Sequence, residues 1–399
     1  MPQSFRTERI EEPALQGSAP LHCSASLRNG VPPPLQSGVG VYAPCVQCPR
    51  KCAADRKTAR GLCGEGDALR IASACLHFGE EPPVTVFGGS GTIFFTGCTL
   101  RCAFCQNYQI SREGMGKIVD CEEFCRICSA LEQAGAENIN IVTGSHAIPA
   151  IASFLTQAKK EGLGIPVCWN SSAYESVDAI DMLAPVTDIW LPDLKAFGSA
   201  ASEALLGTGD YARTAKKAIR HMIELAPLRF EPVTTRCVQS GRKEAGSEKC
   251  ADAEKSKHAG SAADVENAAN VEKTEGAEKM VSGVIVRHLV MPGCLDNTVK
   301  VLDWLKEYAD GKACISLMSQ YTPVVKNGTP RNFPDRFINR DEFEYLKQLI
   351  HDYDFDYLFY QELENDDSWL PDFSRVQPFS NSLATPVWHW KNGFTNSTL

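Results

Sequence analysis

Cys98, Cys102 and Cys105 stand at a C-x3-C-x2-C spacing within G-T-I-F-F-T-G-C-T-L-R-C-A-F-C-Q-N-Y-Q-I-S, residues 91–111 of a 399-residue chain. The apolar, β-branched and aromatic run Thr92–Thr96 predicts a buried strand that stops at Gly97. The three thiols then fall on a loop leaving that strand, where they can converge on one metal centre. Thiolates are soft ligands that favour iron–sulfur clusters, zinc or Cu(I). A four-iron cluster held by three cysteines leaves one iron open to a further ligand.

Two other cysteine groups test that reading. Cys45, Cys48, Cys52 and Cys63 form C-x2-C-x3-C-x10-C in the segment that starts at Tyr42, with Gly61 and Gly64 available for turns. Four thiols in so short a span can close a tetrahedral site, expected to be structural. Zinc and a second iron–sulfur cluster both suit it. Cys121, Cys125 and Cys128 repeat the C-x3-C-x2-C spacing inside D-C-E-E-F-C-R-I-C-S-A-L-E-Q-A-G. That string reads as a helix with acids at its start and Gly135 at its end. Positions i, i+4 and i+7 share one face with Leu131 or Ala130, as in a core stripe. A rise of 1.5 Å per residue sets the outer pair about 10 Å apart, too wide for one small cluster. These three are expected to pack in the core. Gly88, Gly89 and Gly91 precede a strand rather than following one into a helix, which argues against a phosphate loop.

The string C-T-L-R-C-A-F-C-Q-N-Y-Q-I-S, with Phe104 just before its last cysteine, resembles the radical S-adenosylmethionine signature. It is most similar to proteins related to the pyruvate formate-lyase-activating enzyme. The C-P-R-x-C…G-x-C-G arrangement is similar to the N-terminal segment of one branch of activating-enzyme-like proteins. The resemblance therefore covers about Tyr42 to Glu364, apart from an insertion. It implies a 4Fe-4S cluster on Cys98, Cys102 and Cys105, with S-adenosylmethionine bound at the open iron through its amino and carboxylate groups. An electron from the cluster would cleave the sulfonium to methionine and a 5'-deoxyadenosyl radical, which abstracts a substrate hydrogen. An electron donor of flavodoxin or ferredoxin type is implied as partner, and Arg101 is a candidate for tuning the cluster.

The elements that must position these groups alternate. Asn138–Thr143, Pro166–Asn170, Asp188–Leu191, Val284–Met291 and Ala313–Met318 read as strands after Thr92–Thr96. Helices are expected over about 147–160, 176–183, 211–225, 297–308 and 340–352. Six strands with intervening helices predict an α/β fold, a partial (β/α)6 TIM-like barrel with a small N-terminal Cys-rich metal-binding segment. Chemistry in such barrels gathers at the C-terminal strand ends. Those ends offer Thr143, Ser145 and His146, then Asn170, Ser172 and Glu175. Asp193 and Lys195, Arg287 and His288, and Ser319, Gln320 and Tyr321 follow. Among them D-L-K resembles the family's fourth-strand motif, N-S-S its ribose position and V-R-H-L-V-M-P-G its fifth-strand motif. The resemblance thus implies cofactor contacts from Phe104, Thr143, Asn170, Ser172, Asp193, Lys195 and Arg287. Thr143-Gly144-Ser145 replaces the family's Gly-Gly-Glu, so its amino-group contacts are not carried over.

Composition bounds the rest. Residues 1–40, rich in Pro, Ser and Gly, read as a disordered leader, 41–80 as the Cys-rich segment and 85–365 as the barrel. An Ala, Glu, Lys and Ser-rich insertion is expected over 239–280, and a tail over 366–399 in which Trp388 and Trp390 act as a lid or pack over the barrel. A net charge of −9 without a basic tract argues against nucleic acid. No apolar run is long enough to span a membrane. The charged N-terminus lacks the apolar stretch of a signal peptide, and a cytoplasmic location is expected. Three readings compete: an activase that makes a glycyl radical on a partner enzyme, a radical enzyme acting on another protein or a small molecule, and a metal-stabilised binding protein without turnover.

Overall fold

The computed structural model describes residues 42–233, 278–324, 334–363, 367 and 369–395. The expected leader, and all but the last three residues of the expected insertion, lie outside the described residues. The first half of the chain runs β1 (Arg70–His77), β2 (Ser90–Phe95), α1 (Tyr108–Ser111), β3 (Lys117–Ile118), α2 (Cys121–Gln133), β4 (Ile139–Val142), α3 (Ile148–Lys160), β5 (Val167–Ser171), α4 (Val177–Leu183) and β6 (Ile189–Pro192). The second half runs α5 (Ser199–Leu206), α6 (Tyr211–Leu225), β7 (Arg229–Pro232), β8 (Glu278–Leu289), α7 (Leu295–Tyr308), β9 (Cys314–Met318), α8 (Arg340–Tyr353), β10 (Leu358–Tyr360), β11 (Ala384–His389) and β12 (Gly393–Phe394).

Strands β2, β4, β5, β6, β8, β9 and β10 lie side by side in chain order, each parallel to its neighbours. Parallel neighbours need crossovers, and helices on the sheet supply them. The result is a mixed α/β fold with a large, mainly parallel sheet whose strand order is compatible with a partial barrel. The apolar runs I-N-I-V of β4 and I-W-L-P of β6 are buried at every position. Burial on both faces explains why these strands read as continuous apolar stretches rather than alternating ones.

Three features depart from the expected layout. First, β10 adds a seventh parallel strand. Second, β1 pairs antiparallel with β2, and β11 pairs antiparallel with β1, extending the sheet beyond the cysteine strand. β1 is buried along nearly its whole length, so R-I-A-S-A-C-L-H carries no polar alternation to mark a strand. Trp388 is fully buried in β11, and its Nε1 donates to Glu123 at 3.1 Å. It packs between the sheet edge and α2. Third, residues 278–280, assigned to the insertion by composition, begin β8, and Met280 is fully buried beside Val84 and Ile285. Pairing with β7 supplies the partner that makes this stretch a strand. Among the described residues, no helix is long and apolar enough to cross a membrane.

Candidate functional site

The chain leaves β2 through Gly97, whose φ of +91° only glycine adopts without strain. A Cβ at that position would also lie 2.3 Å from Glu65 Cγ. Backbone bonds then fix the cysteine loop on both sides. Cys98 N–H donates to Cys63 O at 3.2 Å, Arg101 N–H to Leu206 O at 3.0 Å and Ala103 N–H to Leu205 O at 2.9 Å. The Arg101 side chain donates to Leu62 O at 2.6 Å, and Arg50 Nε to Thr99 O at 2.8 Å.

The loop faces a cavity of about 510 Å³ at the C-terminal ends of the parallel strands. Cys98, Cys102 and Cys105 line it, as do Phe104, Thr143, Asn170, Ser172, Asp193, Lys195 and Arg287, every residue the sequence had nominated for this site. Burial and the neighbouring Cys105 thiol push Cys98 up to about 11, and burial pushes Cys102 higher still. Burial disfavours the Lys195 ammonium, but the Asp193 carboxylate outweighs it and keeps the lysine charged. Lys195 Nζ pairs with Asp193, and Tyr211 OH clamps the backbone between them. It donates to Asp193 O at 2.6 Å and accepts from Lys195 N–H at 2.9 Å.

Thr143 follows β4 at φ +63°, a conformation costly for a β-branched residue. Of the other strand-end groups, Gln320 also lines the cavity, whereas Ser145, Glu175, His288 and Ser319 do not. Ser145 donates to Glu175, whose carboxyl burial raises to about 7 against hydrogen bonds from Ser145 and Ser171. His288 bonds Leu194 O and Thr298 Oγ1, and Ser319 donates to Gln361 O at 3.0 Å. These side chains brace the strand ends from behind.

Sequence reasoning missed Glu80 and Glu81, which reach the cavity from the loop after β1 and ion-pair with Arg287. The only signal was two adjacent acids before Pro82-Pro83, and nothing in that pattern identifies a buried pair.

The N-terminal quartet lies beside the loop. Burial pushes Cys48 up to about 11, with Cys63, Cys45 and Cys52 adding to the rise, so Cys48 lies within electrostatic reach of the other three. A Cβ at Gly61 would stand 3.2 Å from Cys63 Sγ and 3.5 Å from Cys52 Sγ. Buried Arg56 stacks over the Tyr42 ring at 4.1 Å and donates to His146 O at 2.7 Å, tying the segment to the end of β4. Among the described residues, no three Cys, His, Asp or Glu side chains close tightly enough to hold a single metal ion. A cluster asks for a different arrangement, because each cysteine holds a different iron and the thiols stand farther apart. Three soft thiols beside a cationic lysine, in a cavity rimmed by polar strand ends, fit such a group.

Comparison with known proteins gives the following. Residues 92–230 match the Radical SAM superfamily, so the chain carries a radical SAM superfamily domain. The uncharacterized protein MJ0674 of Methanocaldococcus jannaschii is 26% identical over 329 residues, covering 80% of this chain and 78% of that protein. Two structures of Streptococcus suis SuiB align with 67% of this chain. One is bound to the precursor peptide SuiA (14% identity, TM-score 0.42) and the other to S-adenosylmethionine (13%, TM-score 0.41). The chain spans about half of each SuiB chain, 46% and 48% respectively.

Proposed function

We propose that this protein is a radical SAM enzyme that uses Cys98, Cys102 and Cys105 to hold a 4Fe-4S cluster and the strand ends to hold S-adenosylmethionine. The observation that carries the reading is the shared cavity. The three thiols face the same space as Thr143, Asn170, Ser172, Asp193 and Lys195, which come from three further strands and their following loops. When bound, such a cluster supplies the low-potential electron that splits the sulfonium into methionine and a 5'-deoxyadenosyl radical. The chain's own part is to position and enclose. Lys195, paired with Asp193 and held charged by it, presents its N–H donors beside Cys102. Asn170 and Ser172 offer amide and hydroxyl groups suited to a ribose, and Phe104 an apolar wall.

The Thr143-Gly144-Ser145 turn and the additional quartet favour a radical enzyme acting on a protein or small molecule as strongly as an activase of a glycyl radical partner. The quartet of Cys45, Cys48, Cys52 and Cys63 is read as a second thiolate site, for zinc or a second cluster, and since its thiols do not close on a single ion as they stand, a cluster suits it better. A flavodoxin- or ferredoxin-type protein is the expected electron source. Anaerobic reconstitution tests the core of this reading: reductant plus S-adenosylmethionine should release 5'-deoxyadenosine from the wild type. If no reducing system yields it, the protein is a metal-stabilised binding protein instead. Metal analysis of the Cys98/Cys102/Cys105→Ala variant then identifies what the quartet holds.

A further inference from the structure

Away from the cysteines, the same cavity has a second polar centre. The loop after β1 brings Glu80 and Glu81 against Arg287 of β8. Arg287 Nε donates to Glu81 Oε1 at 2.8 Å, and its Nη2 is shared by both carboxylates. The three side chains are 7%, 9% and 9% exposed. One guanidinium therefore faces two carboxylates. Burial works against an ionised Glu81, but Arg287 overcomes it and holds this carboxyl below its usual range. His77 Nδ1 lies 3.8 Å from Glu80 Oε1, yet burial lowers the imidazole's pKa, with Glu80 raising it less and Arg287 lowering it further. It adds no charge at neutral pH. Lys195 is already matched by Asp193. Among the described residues lining the cavity there is no other lysine or arginine. Two buried carboxyl groups thus share one guanidinium, and neither has a cation of its own, although buried charges are ordinarily paired.

Hydrogen bonding shows the same deficit independently. Asn140 is fully buried and donates its Nδ2 to Glu80 Oε1 at 2.9 Å, while its Oδ1 has no donor. Gln320 and Gln361 also line the cavity, and the Oε1 of each is buried without a donor. The site has acceptors and negative charge in excess. An ammonium supplies what both deficits ask for, with three donors, no acceptor and one positive charge. Phe78, Phe379, Trp369 and Tyr360 wall the same region, and aromatic faces attract a cation that leaves water.

We propose that Glu80, Glu81 and Arg287, with Asn140 behind them, form a substrate subsite for a protonated primary amine on an apolar or aromatic body. The amine belongs to a small molecule or to a lysine side chain of a peptide. This deepens the radical SAM reading by naming the substrate class, and it rests on that reading only for the claim that the occupant is a substrate.

The test is binding by the anaerobically reconstituted protein, measured calorimetrically without turnover. Three probes are compared: 2-phenylethylamine, its neutral counterpart 2-phenylethanol, and a short blocked peptide containing one lysine. The amine should bind at least tenfold more tightly than the alcohol, and Glu80→Gln should weaken the amine at least tenfold while barely changing the alcohol. Tighter binding of the peptide than of the amine assigns the ammonium to a polypeptide, and the reverse assigns it to a small molecule. Equal binding of amine and alcohol overturns the proposal, as does binding of neither amine nor peptide. The amine–alcohol comparison on the wild type stands even if the variant fails to fold. Absence of 5'-deoxyadenosine release would sink the enzymatic reading without touching this result, so the two failures remain separate.

Discussion

Cys98, Cys102 and Cys105 leave β2 on a loop that turns at Gly97, whereas Cys121, Cys125 and Cys128 stand on α2 with the same spacing. The first three face a cavity shared with polar strand ends. In the second group, Cys125 and Cys128 are buried among Phe124, Ile127 and Leu131, and Cys125 Sγ points its proton at Phe154 O of α3. Burial drives the Cys128 thiol far above its usual range. A loop can aim consecutive thiols at one point. A helix fixes them along a face at 1.5 Å per residue, and that face is wanted by the core. The difference teaches that cysteine spacing carries chemistry only when the backbone beneath it is free to converge.

Exchanging the two sets for alanine gives the widest contrast. Cys98/Cys102/Cys105→Ala should lose about four irons per chain. Cys121/Cys125/Cys128→Ala should keep its iron while losing about 2 kcal/mol of stability to small core cavities. Iron assay and thermal melts of both variants check this, and iron loss from the helix variant without unfolding would break the comparison.

The strand ends that serve the loop set, and have no counterpart at α2, can be probed through Glu175. Its carboxyl is raised from 4.5 to about 7 by burial, so between those values the unfolded chain releases a proton that the native state keeps. The contribution of Glu175 to stability is therefore fully present below pH 4.5 and falls by about 3 kcal/mol as pH rises to 7. Glu175→Gln should remove that slope, so that the variant gains on the wild type from pH 4.5 to 7.5 in denaturant titrations. Parallel pH profiles would exclude a buried protonated Glu175.

Glycines after each element sharpen the contrast further. Gly97→Ala meets both a φ of +91° and the Glu65 side chain, whereas Gly135→Ala after α2 meets a φ of +97° with open space around it. Each should cost about 1–2 kcal/mol in backbone strain, but only Gly97→Ala should also lower iron loading, because it displaces the loop. Equal iron in both variants would argue that the loop tolerates rearrangement. The smallest effect is expected from Asp120→Ala. Its carboxylate accepts from Glu123 N–H at 2.8 Å and caps α2, so its loss should cost about 1 kcal/mol in a melt and leave iron unchanged.

Much of this site was legible in the chain. The loop cysteines after an apolar strand and the alternation of strands with helices rest on local signals, namely periodicity, turn residues and ligand spacing. The other seven residues that the fold brings to the same cavity were named through the family resemblance of D-L-K, N-S-S and their neighbours. β1 and β11 left no such trace, since β1 is buried on both faces and loses the alternation that marks a strand, and β11 pairs with a strand some three hundred residues earlier. The role of Glu80 and Glu81 was equally hidden. Their charge was visible, but their burial against Arg287 exists only once the loop after β1 enters the sheet's interior.

What the sequence determined by itself is the local chemistry: which thiols lie on a loop, which on a helix, and which polar groups end each strand. What only the tertiary structure decided is which of those groups face one another and what charge they leave unmatched. Convergence and net charge are sums over segments far apart in the chain, and packing alone brings their terms together.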